Sequence, residues 1–212
     1  MIRIAHRGGA AYAPENTLEA CRHGIGQGAD YLEVDVRQTR DGKLVLAHDS
    51  WWWRRVEGRD YDGSLALFED YLKLAARSGV GIFPEIKGST PGLPLAMVKA
   101  IRDHGLLKKC VIPSFSARAL GEVHRLEPEL PLCQLLYPWQ FWRLPRLGPG
   151  IRVVAPNAEM LRLNPRIVDQ ARRLSLQVWP WFALAERRLA SFVARLGVDG
   201  LILDDPGRTL PE

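Results

Sequence analysis

Glu33 and Asp35 stand two residues apart in the run Tyr31–Val36, and Glu85 and Lys87 stand two apart in Ile82–Lys87. In a strand that spacing sends both members of a pair to the same face, so the first pair can turn two carboxylates toward one ion. Together Glu33, Asp35 and Glu85 make an oxygen-rich set of the kind that hard cations such as Mg2+ and Ca2+ take. His6 and His48 close two further short runs and can serve as one acid and one base near neutral pH. Arg7 and Lys87 can neutralise a phosphoryl group. Phosphodiester cleavage needs a metal that spreads phosphoryl charge, a base for the nucleophile and an acid for the leaving alcohol. Any one of these residues alone reads as structural or solvated. Their joint placement at the ends of apolar runs is what argues for chemistry.

Those ends meet only if the runs are strands of one sheet that closes on itself. Eight runs read as strands: Ile2–His6, Tyr31–Val36, Ile82–Lys87, Cys110–Ser114, Pro131–Leu136, Arg152–Ala155, Leu176–Trp181 and Gly200–Asp204. Lys43–His48 follows the Asp41-Gly42 turn and reads as the second arm of a hairpin with the second strand. Helical stretches separate most strands. Asn16 is expected to cap a helix, with Glu19 completing a capping box, although Gly24 and Gly26 weaken that helix. Asn164-Pro165 starts another, with Ile167, Val168, Ala171 and Leu174 on one face. Leu189, Phe192, Val193 and Leu196 form a third apolar face before Gly197, which sits where a C-terminal cap belongs.

Eight strands alternating with helices predict an α/β chain folded as a compact, closed parallel (β/α)8 TIM barrel. Only eight residues follow Asp204, so the last helix is expected to be reduced or missing. In such a barrel Ser114 and Asp204 also end strands at the mouth, where active sites are built. An open doubly wound sheet is the alternative. It would carry a Gly-rich phosphate loop after its first strand, where this chain has His6-Arg7-Gly8-Gly9.

With 212 residues, 47% hydrophobic and 25% charged, the chain can bury a sizeable core and is expected to form a single domain over 1–212. No apolar run reaches the roughly 18 residues of a membrane span. The N-terminus moves straight into a strand without a signal region, which points to the cytoplasm. Cys21, Cys110 and Cys133 are odd in number and widely spaced, and read as free thiols. A net charge of +5 suits an anionic substrate or surface. No basic block or zinc pattern suggests nucleic acid.

At these residues the sequence resembles the glycerophosphodiester phosphodiesterase family. The resemblance rests on His6-Arg7-Gly8, Pro14-Glu15-Asn16-Thr17, Gly28-Ala29-Asp30, Glu33-Val34-Asp35-Val36, Thr39, Asp41-Gly42 and His48-Asp49. Further along, Glu85-Ile86-Lys87, Ser114-Phe115, Trp179 and Gly197-Val198-Asp199-Gly200, followed by Asp204 and Pro206, extend it over almost the whole chain. It implies a barrel that cleaves glycerophosphodiesters to glycerol phosphate and an alcohol. It implies His6 and His48 as the acid/base pair, Glu33, Asp35 and Glu85 as ligands of Mg2+ or Ca2+, and Arg7 and Lys87 as holders of the phosphate. Ser114 and Trp179 are the expected substrate-binding residues. It further implies that the substrate's own 2-hydroxyl attacks phosphorus, giving a cyclic phosphate that water then opens.

The chain departs from the family pattern after His48-Asp49. There a Leu-Asp-Arg-Thr-Thr-like stretch and a small helical insertion are replaced by Trp51-Trp52-Trp53-Arg54-Arg55, and the segment before Glu85 is shortened. The family's Trp-Thr-Val-Asn reads Trp179-Pro180-Trp181-Phe182. These changes spare every acid, base and ligand, and leave open the alcohol group of the substrate. A soluble glycerophosphodiester and a lysophospholipid are both compatible, and an inactive barrel that binds a phosphorylated ligand is the third reading. All seven tryptophans (Trp51, Trp52, Trp53, Trp139, Trp142, Trp179 and Trp181) fall in or after elements expected to end at the mouth. They either fill the space left by the shortened insertion or form a rim that contacts an acyl chain or a membrane surface.

Overall fold

The computed structural model of the chain describes residues 1–48, 56–88, 90–183 and 186–208. Its parallel strands are β1 (Ile2–Ala5), β2 (Tyr31–Gln38), β4 (Gly81–Ile86), β5 (Ile112–Ser114), β6 (Leu132–Leu136), β7 (Ile151–Pro156), β8 (Gln177–Val178) and β9 (Gly200–Leu203). A short β3 (Leu44–Leu46) runs antiparallel to the end of β2, as the Asp41-Gly42 turn predicts. One run of pairing goes β9–β1–β2–β4 and the other β5–β6–β7–β8.

Two single bridges join these runs into a ring. Ile82 pairs in parallel with Cys110, and Trp181 with Ile202. The amide of Val111 donates to the Ile82 carbonyl at 3.1 Å, and that of Ile202 to the Pro180 carbonyl at 3.1 Å. The thinness of the first joint has a local cause. A parallel ladder would return the next bond from the amide of residue 84, and residue 84 is a proline with no N–H to give. The expected closed barrel is therefore present, and the open doubly wound sheet is not.

Among the described residues seven α-helices lie between the strands: α1 (Leu18–Gly26), α2 (Phe68–Ser78), α3 (Leu93–Asp103), α4 (Ala117–Leu126), α5 (Ala158–Leu163), α6 (Arg166–Arg173) and α7 (Glu186–Arg195). The period of two along each strand sorts side chains into two cores. Leu32, Val34 and Val36 of β2 join Leu201 and Leu203 of β9 in the outer core under the helices. Ile4, Phe83, Val111, Cys133, Leu135, Val153, Ala155, Trp179 and Ile202 fill the barrel interior. The face expected for α6 holds, with Ile167, Val168 and Ala171 buried and only Leu174 turned out. After β9 the described residues form a turn and no helix. Among the described residues no helix is long and apolar enough to cross a membrane.

The helix after the first strand differs from expectation. Thr17, not Asn16, caps α1, its hydroxyl accepting from the Ala20 amide. Asn16 is buried with φ +59 and faces inward. Gly24 does not merely weaken α1. A Cβ there would strike the Gly8 carbonyl and the Ala5 side chain, so the glycine lets the helix press against the turn that carries His6 and Arg7.

Candidate active site

The polar residues follow from the same period of two. On β2, Tyr31 lies at the interior level of Trp179, and Glu33 and Asp35 are the next two inward positions. On β4, Glu85 follows the interior residue Phe83. Glu33, Asp35 and Glu85 are all buried, and one ligand oxygen from each lies within 4.8 Å of the others. Lys87 reaches in from the strand end, with its Nζ 2.9 Å from Glu85 Oε1 and 3.2 Å from Asp35 Oδ1.

This cluster is electrostatically crowded. Burial, and next the charge of Asp35, push the Glu33 carboxyl up to about 7. Burial raises Glu85 well above the carboxylate range despite Lys87. Asp35 moves the other way. Burial alone would raise it, but Lys87, His48, the Asn16 hydrogen bond and Arg7 together lower it. Burial would lower Lys87, yet the charges of Glu85 and Asp35 raise it. The upward shifts of Glu33 and Glu85 mark buried carboxylates that repel one another when ionised, and a hard divalent cation would relieve that repulsion and hold them in the charged form. The all-oxygen donor set fits such an ion.

Asn16 serves this cluster rather than the helix. Its Nδ2 donates to Asp35 Oδ2 at 2.8 Å, and its Oδ1 accepts from the Asp35 amide at 2.9 Å. Glu33 is held by the backbone amide of Arg7, which donates to Oε2 at 2.6 Å. That amide is aimed by a turn in which Arg7 has φ 50 and Gly8 φ 90. The Arg7 guanidinium pairs with Glu15 and lies 3.8 Å from Asp35.

His6 follows β1 and faces Asp204, which follows β9, with Nδ1 2.6 Å from Asp204 Oδ1. Burial would lower the imidazolium, but the Asp204 hydrogen bond and the charges of Glu33 and Asp204 outweigh it, so the pKa of His6 is raised. The same bond lowers Asp204. The backbone amide of Asp204 donates to Glu186 Oε2 at 2.7 Å, which fixes that turn to α7. His48 ends the β3 arm. Its carbonyl accepts from the buried Arg37 at 2.7 Å, and Arg37 is braced by Glu57 at 2.6 Å. Sequence reasoning assigns roles to neither Arg37 nor Glu186. Both act through the fold, and only their partners reveal them.

A cavity of about 490 Å3 opens over these groups, lined by His6, Arg7, His48 and Lys87 as well as by the three carboxylates and Asp204. The seven residues expected to do chemistry and bind metal are thus brought together. The two expected to bind substrate are not. The Ser114 hydroxyl donates to the Ile86 carbonyl and accepts from the Ser116 amide. Trp179 is 2% exposed and packed against Tyr31 and Phe83 one layer below the mouth. Their neighbours Phe115 and Trp181 line the cavity instead, together with Tyr137 and Phe182. Among the tryptophans, Trp139 and Trp142 are exposed, while Trp51, Trp52 and Trp53 lie outside the described residues.

The chain is similar to known proteins in sequence and in fold. The sequence profile of the glycerophosphoryl diester phosphodiesterase family matches residues 6–69. A glycerophosphodiester phosphodiesterase of Caldanaerobacter subterraneus is 28% identical over 96% of this chain and 93% of its own length. One of Haemophilus influenzae is 52% identical over 72% of this chain and 56% of its own. In fold, the crystal structure of a glycerophosphodiester phosphodiesterase from Parabacteroides distasonis superposes with a TM-score of 0.82 at 24% identity, covering 97% of this chain and 93% of that one. With its barrel, its opening His6-Arg7-Gly8 turn and its relatives in agreement, this chain belongs to the glycerophosphoryl diester phosphodiesterase family, a family of phosphoric diester hydrolases.

Proposed function

We propose that the protein hydrolyses glycerophosphodiesters to glycerol phosphate and an alcohol, with a divalent cation, Mg2+ or Ca2+, held by Glu33, Asp35 and Glu85. The observation that carries this reading is the convergence of those three buried carboxylates within 4.8 Å in the same cavity as His6, His48 and Lys87. When bound, the cation would neutralise charge on the phosphoryl oxygens. Lys87 and Arg7 bring their cations to the same cavity and orient the phosphate.

His6 and His48 form the acid/base pair. Asp204 engages Nδ1 of His6 and leaves Nε2 as the ring atom that exchanges a proton with the substrate. Arg37 fixes the backbone of His48 through its carbonyl. Among the described lining residues there is no serine, threonine or cysteine. As the resemblance to the glycerophosphodiester phosphodiesterase family implies, the nucleophile is the substrate's own 2-hydroxyl. One histidine takes its proton as oxygen attacks phosphorus, the other protonates the departing alcohol, and a cyclic phosphate forms. Water then opens the ring with the roles exchanged.

The test is 31P NMR of sn-glycero-3-phosphocholine turnover in the presence of Mg2+ or Ca2+. A transient cyclic phosphate followed by glycerol phosphate is expected. Phosphocholine and glycerol as products would contradict the proposed bond cleavage.

A further inference from the structure

The cavity has two unlike halves. Every acidic residue that lines it (Glu15, Glu33, Asp35, Glu85 and Asp204) comes from the β1, β2, β4 and β9 side. The opposite wall, from β5 to β8 and the segments that follow them, is built of Phe115, Tyr137, Trp181 and Phe182 over Pro113 and Leu135.

The rings on that wall form a staircase. Phe115 stands beside the ionic cluster, with Lys87 Nζ 5.7 Å from its centroid. Trp181 meets Phe115 edge-on at 5.8 Å. Tyr137 stacks on Phe115 at 4.1 Å, and Trp139 stacks on Tyr137 at 5.0 Å with the two planes 4° apart. The staircase thus starts at the phosphate site and climbs out of the cavity, ending on Trp139, which is 66% exposed. Trp142, three residues on, is 57% exposed. Large rings left in water at the outlet of a polar site are costly unless something apolar covers them.

Resting on the phosphodiesterase reading above, we propose that this staircase is a subsite for a single acyl chain carried by the glycerol of the diester, so that the preferred substrates are monoacyl glycerophosphodiesters. Charge decides between the chain and the other occupant that aromatic walls favour, a quaternary ammonium. An ammonium needs an open ring face and no like charge nearby. Here Lys87 already lies over Phe115, and no lining carboxylate belongs to this wall. An uncharged chain meets neither objection. Its anionic phosphate would lie at Lys87 and Arg7 while its methylenes cover Phe115, Tyr137 and Trp139.

The experiment measures kcat/KM for a series of 1-acyl-sn-glycero-3-phosphocholines of increasing short chain length. All are kept below their micelle-forming concentrations, and unacylated glycerophosphocholine is the zero point. In the wild type kcat/KM should climb with length by up to about fourfold per methylene. Trp139→Ala and Tyr137→Ala should flatten that slope, because they remove steps of the staircase. Trp139 is too exposed for its loss to unfold the protein. A flat slope in the wild type, or a slope unchanged in both variants, would overturn the subsite while leaving the phosphodiesterase reading intact. No turnover of any member, the unacylated diester included, would overturn that reading and the subsite with it.

Discussion

Nδ1 of His6 lies 2.6 Å from Oδ1 of Asp204, a bond across 198 positions of sequence that exists because β1 and β9 are neighbours in the ring. The carboxylate fixes which ring nitrogen faces the cavity and holds the proton on the imidazole more tightly than burial alone would allow. Asp204→Asn removes the charge that raises the His6 pKa. The limb of the kcat/KM profile governed by His6 should therefore move to lower pH, and kcat/KM at the optimum should fall about tenfold or more. A profile with unmoved limbs would assign Asp204 to the turn rather than to His6.

The proposed acid/base work falls to the two histidines. His6→Ala and His48→Ala should each lower kcat by about a hundredfold or more, with far-ultraviolet circular dichroism unchanged. Near-normal turnover in either variant would remove that residue from the mechanism.

Most of the frame is legible in the sequence, and each error has its own physical cause. The runs that form β2 and β4 alternate cleanly, so the period of two alone puts Glu33 and Asp35 on one face and Glu85 on the matching face of its strand. Ser114 and Trp179 are misplaced by which face and which layer they occupy. Ser114 shares the face of Ile112, which packs into the outer core, so it points away from the mouth and Phe115 points in. Trp179 shares its face with Trp181, but β8 stops at Val178 and Pro180 follows, so Trp179 sits a layer too deep and Trp181 reaches the cavity. Asn16 reads as a cap because asparagine before a helix usually is one. Its grip on Asp35 depends on a residue of positive φ meeting a strand 19 positions away, which no local pattern encodes.

The grip of Asn16 on Asp35 can be measured directly. Asn16→Ala should destabilise the protein by about 2–4 kcal/mol, since it leaves the Asp35 amide and one carboxylate oxygen without partners in a buried site. Asn16→Ala should also weaken divalent-cation binding in calorimetry, because it removes the amide donor that steadies the Asp35 side chain. A loss within about 1 kcal/mol for Asn16→Ala, the range of a simple cap, would restore the capping role.

Lys87 has a structural as well as a chemical duty. It pairs with two buried carboxylates, so Lys87→Ala should cost about 3 kcal/mol or more in metal-free protein besides lowering kcat/KM. A divalent cation should recover much of that stability, because it neutralises the same carboxylates. Equal destabilisation with and without Mg2+ or Ca2+ in urea titrations would show that the ion and Lys87 do not share the site.

Release of glycerol phosphate from glycerophosphocholine and glycerophosphoethanolamine reports metal-dependent cleavage of a glycerophosphodiester. The metal-stripped wild-type protein is assayed in EDTA and again after Mg2+ or Ca2+ is restored. No release is expected in EDTA and full release on restoring the ion, with Glu85→Gln failing to recover at the same concentration. Undiminished release from protein shown by metal analysis to hold no ion would contradict metal dependence.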